Sequence, residues 1–149
     1  MDRRKGDQNM KEKRNLHLKV QELCDCYATN DPLKEMSVVK NDEDKEEAAL
    51  KWLALAALHG VNDNAEEVTI TRSSDGKVQV VAKYRESELP SPGSEVGARI
   101  IKAVREITHI EGQKGKTPLA LGIRNDSVEL QVKMKEKEGR EEVTIKFPG

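Results

Sequence analysis

A chain of 149 residues has the size of one domain and, on folding, withdraws roughly two-thirds of its unfolded surface from water, so a core needs no disulfide staples. Its 26 basic and 27 acidic side chains leave a net charge of -1, which argues against a dominant nucleic-acid or membrane surface, because both partners are anionic and reward a net positive field. No run nears the roughly 20 apolar residues of a membrane span, and no apolar signal segment opens the chain, so the expected location is a reducing cytoplasm.

Residues 1–14 carry six basic and three acidic side chains and almost nothing apolar, which predicts a flexible basic tail before a single domain over 15–149. From Asn15 two patterns compete. Leu16, Leu18 and Val20 alternate like a strand, while Leu16, Val20, Leu23 and Tyr27 recur at helical spacing. The helical pattern persists for three turns and the alternation dies at Gln21-Glu22, so a helix is expected. Asp31 as N-cap and Pro32 at the first position predict a short helix to about Val39.

The next helix is expected over 43–59, opened by carboxylates that suit the positive end of its dipole and closed by Gly60. From Ala48 to Leu58 its residues are apolar except Lys51, so it must be covered on more than one side. Val68 and Ile70 alternate with Thr69 and Thr71, then Val78, Val80, Ala82 and Tyr84 with Gln79, Lys83 and Arg85. Ser73-Ser74-Asp75-Gly76 joins them as a hairpin. A loop over 88–93 leads to a helix over 92–110 with Val96, Ile100, Val104 and Ile107 facing inward. Strands over 119–124, 128–135 and 143–147 follow, separated by turns at 124–127 and 138–140.

The expected fold is α+β, with a five-stranded antiparallel sheet covered on one face by helices, in the order α-α-α-β-β-α-β-β-β. The N-terminal helix packs outside the other two. The second helix-and-strands unit begins about 50 residues after the first, an internal repeat that periodicity alone could also produce. Every strand has one apolar and one polar face. The polar residues Glu129, Gln131, Lys133, Lys135, Thr144 and Lys146 alternate in sign, which reads as a solvated surface, although an open face or edge could also receive a protein partner or a second copy.

Chemistry could concentrate at Cys24-Asp25-Cys26, which holds both cysteines of the chain. Two thiols bind a soft metal or exchange disulfides only if their sulfurs converge. On a helix, residues two apart diverge by about 200°. If the helix stopped before Cys24, the pair could converge, with His17, Asp25 or Asp31 as a further ligand. Gly115-Lys116-Thr117 invites a phosphate-loop reading, but Ile110 stands where the motif needs glycine and Pro118 halts the segment before a strand. Residues 111–117 are therefore expected to be a linker, with Lys114 and Lys116 as weak anion contacts.

Ser91-Pro92-Gly93-Ser94, with Arg99 two turns on, could seat an anion at a helix start. Capping by Ser91 or Ser94 explains the same residues more cheaply. No catalytic constellation emerges and no cofactor is implied. The expected function is a small cytoplasmic, non-enzymatic interaction or accessory protein that self-associates through the open sheet face or an edge strand. The alternative is a thiol-dependent redox or metal-binding protein built on Cys24 and Cys26.

Overall fold

The computed structural model describes residues 16–83, 87–123 and 126–148. The expected tail over 1–14, Tyr84 at the end of its strand and the turn residues Arg124 and Asn125 lie outside them. Helix α1 covers 16–26. Helix α2 is Pro32–Val38, capped by Asp31, whose carboxylate accepts from the backbone of Leu33 and Lys34. A 3-10 turn at Val39–Asn41 leads to α3 at Lys45–Asn62, where Asp44 accepts from Glu47 N at 3.1 Å.

Gly60 does not close α3. The helix runs two residues further, and Gly60 is buried within it. A Cβ there would fall 2.0 Å from Cζ of Phe147, so the glycine is needed because an aromatic ring lies on bare helix backbone. Lys51, the one polar interruption in the apolar run, ties neighbouring elements together. Its ammonium lies 3.8 Å from Glu35, 3.7 Å from Asp42 and 5.0 Å from the ring centre of Tyr27.

Strands β1 (Glu67–Arg72), β2 (Val78–Lys83) and β3 (Ser87–Leu89) form an antiparallel meander, followed by α4 (Gly93–Thr108) and a second meander, β4 (Lys114–Ile123), β5 (Asp126–Lys137) and β6 (Arg140–Lys146). The sheet is six-stranded, in the order β3-β2-β1-β6-β5-β4. The sixth strand corrects the expected five. It is β3, a three-residue edge strand that takes in the start of the loop expected over 88–93, too short to show an alternation and closed at once by Pro90.

The linker expectation is corrected too. Lys114 to Thr117 are not loop but the first residues of β4, paired with β5. Gly115 fits there because a Cβ would come 2.6 Å from Cγ2 of Ile110, which folds over it. Pro118 is tolerated because β4 is an edge strand. Gly122 N and Ala120 O point away from β5, and Pro118, at the same parity, turns its missing donor to that unpaired side.

The inner face of the sheet carries Val68, Ile70, Val80, Leu130, Val132, Val143 and Ile145, all buried. Helix α4 packs across β1, β2, β4 and β6, and α3 lies against α4, α2 and β1. That double cover accounts for the burial of every residue from Trp52 to Gly60, a run that covers all sides of the helix. Helix α1 does more than pack outside the others. His17 Nε2 lies 2.7 Å from Ala120 O, and the Gln21 side chain accepts from Gly122 N at 2.6 Å and donates to Gly122 O at 2.7 Å, closing half of the β4 edge.

Candidate functional site

The thiols part company. Cys24 is 1% exposed, with its sulfur 3.9 Å from Ala54 O, while Cys26 is exposed, and both are free. Burial first, then the nearby Asp25 carboxylate, pushes the Cys24 thiol up to about 12, so it holds its proton at neutral pH. His17 is turned to the β4 edge. Among the described residues no group of three or more His, Cys, Asp or Glu could hold a metal ion.

The start of α4 is occupied by contacts of its own. Ser91 Oγ donates to Val78 O at 2.8 Å and accepts from Gly93 N at 3.2 Å, and Pro92 rather than a serine is the N-cap. Ser94 lies over Gly76 in the β1–β2 hairpin, and Arg99 pairs with Glu46 at 3.1 Å. Ser91, Ser94 and Arg99 thus face three different neighbours and share no common anion position.

Two interior groups invite a catalytic reading. His59 is 2% exposed and holds Asp63 at 2.9 Å. Burial lowers its proton affinity against the opposing pull of Asp63. It stands among buried residues of α3. Lys51 goes the other way. Burial works against its charge, but Tyr27 and the carboxylates of Asp42 and Glu35 outweigh that and raise it, so it stays an ammonium and serves as a tie. The apolar space among Val20, Leu53, Val104, Leu121 and Leu130 offers only the Thr108 hydroxyl, which is spent on Val104 O.

Chemistry of another kind collects on the outer face of the sheet. Lys114 and Lys116 of β4 stand directly opposite Lys135 and Lys133 of β5, and Lys137 stands opposite Arg140 across the β5–β6 turn. All six are exposed. Successive same-face residues on a strand are about 6.8 Å apart and neighbouring strands about 4.8 Å, so these cations form a flat lattice rather than scattered points. Glu142, paired in register with Lys135, is the carboxylate set among them.

Like charges directly opposite each other destabilise a strand pair. Elsewhere this protein marries its cations to carboxylates: Arg72 to Glu141, Lys83 to Glu66, Arg99 to Glu46 and Arg105 to Glu136. Among the described residues none of the six on the lattice is in an ion pair. Lys133 and Lys135 read from the sequence as part of an alternating-sign polar face, but their place opposite Lys116 and Lys114, and that of Lys137 opposite Arg140, is set by strand pairing. Register decides the matter, and the two turns that set it were visible.

Compared with protein-family models and with curated proteins, the chain matches none.

Proposed function

We propose that this protein is a cytoplasmic, non-enzymatic interaction protein whose working surface is the outer face of β4, β5 and β6. The observation that carries this reading is the set of three directly opposed like-charge pairs on one uncovered face. A fold gains nothing from such an arrangement on its own account, and an anionic partner would turn it into attraction. The partner is a different molecule rather than a second copy. Two copies meeting face to face would set lysine against lysine, and the β4 edge is defended by α1 over one half and by Lys114, Lys116 and Pro118 over the other.

The test is site-specific photo-crosslinking in cells. A photoreactive residue replaces Gln131, which shares the outer face, or Lys102, which is exposed on α4. Adducts are expected from position 131 and not from 102. Adducts from 102 alone, or from neither, would defeat the proposal.

A further inference from the structure

We infer that the partner of this face is double-stranded nucleic acid, gripped through its phosphates without regard to sequence. The inference rests on the interaction reading above and names its ligand. The net charge of -1 argues the other way only while the charge is treated as evenly spread. Folding concentrates Lys114, Lys116, Lys133, Lys135, Lys137 and Arg140 on one side, and at about 0.15 M salt a phosphate feels charges within roughly 8 Å, not the molecular sum.

What the face lacks narrows the ligand. A stable protein interface wants aromatic or apolar anchors at its centre and is depleted in lysine. Here the centre is Lys133 beside Thr144, whose hydroxyl is 3.2 Å from that of Thr69. An unpaired strand would need aromatic platforms for its bases, and the described residues of this face supply none. A duplex keeps its bases stacked inside and presents phosphates, for which compact, mobile ammonium groups suffice.

The experiment uses the full chain and a labelled DNA duplex of roughly 20 base pairs, read by fluorescence anisotropy from about 50 to 200 mM salt. Micromolar binding is expected at the lower salt, falling with a log-log slope of about -3 to -5, as release of four or five counterions requires. The double variant K114E/K116E sets a glutamate opposite Lys135 and another opposite Lys133. It should melt at or above the wild-type temperature, lose at least about tenfold in affinity and flatten the slope by about two.

No duplex binding by the wild type would overturn the inference, as would equal binding by K114E/K116E, which would move the contact to the basic residues of 1–14. Tighter binding to single strands, or to phosphatidylserine vesicles, would overturn it as well. If the duplex fails while position 131 still crosslinks in cells, this inference falls and the interaction reading stands.

Discussion

At the scale of single residues, Gly60 has the least room for a side chain among the described glycines, because the Phe147 ring lies over it. Replacing a mid-helix glycine by alanine ordinarily gains about 1 kcal/mol. Here the new methyl would have to occupy space that the Phe147 ring holds, since Cζ and both Cε atoms fall between 2.0 and 2.4 Å from it. Overpacking of that kind costs about 1–3 kcal/mol, enough to reverse the sign. G60A is therefore expected to unfold at lower urea than the wild type, and adding F147L should recover part of the loss. A G60A protein that unfolds at higher urea would show that the ring moves aside freely. Gly97 obeys the same logic, with Cγ2 of Val78 2.5 Å from the position of its missing Cβ.

Elements behave less independently than their sequences suggest. Helix α1 owes its position to the Gln21 amide, which satisfies both backbone groups of Gly122 as a neighbouring strand would. Two such bonds are worth about 1–3 kcal/mol together. In Q21A the amide proton of Gly122 should exchange with solvent markedly faster than in the wild type, with little change at Leu130 in the strand beyond. Unchanged protection at Gly122 would mean that packing of Val20 and Cys24 alone holds α1. The period of Leu16, Val20, Leu23 and Tyr27 was enough to predict a helix here, because apolar spacing is local information. Its docking on β4 was not legible, since nothing in a glutamine announces which backbone 101 residues away it will bind.

The same divide explains the strands. Long alternations such as Val78 to Ala82 were readable, and so were the tight turns with Gly76 and Gly139 at positive φ. Lys114 to Thr117 hid in plain sight, because glycine and proline in a polar run signal a loop unless the segment is known to lie at a sheet edge. The charged lattice was hidden one level deeper. A two-residue turn at Glu138-Gly139 sets Lys137 opposite Arg140. Only pairing across a second turn brings Lys116 to Lys133, so the cluster exists in three dimensions and not along the chain.

For the molecule as a whole, the distribution of charge matters more than its sum. The sheet face repels itself, and that repulsion is screened once salt brings the Debye length near the spacing of the lysines. The difference in melting temperature between K114E/K116E and the wild type should accordingly be largest in dilute buffer and shrink as sodium chloride is raised toward 1 M. A difference that stays constant across that range would place the source of stabilisation elsewhere, in strand propensity for instance.

The sheet also has a seam. Its two meanders meet where β1 pairs with β6, Glu67 with Lys146 at one end and Arg72 with Glu141 at the other. A strand made early thus waits for the last strand of the fold, and a ribosome that has not yet added Arg140 carries β1 with one flank bare. Closing so long a loop is entropically late. The nascent chain therefore passes through a stage in which Val68 and Ile70 sit in an unfinished sheet, a vulnerable interval that a chaperone could shelter and that emergence of β6 from the exit tunnel brings to an end.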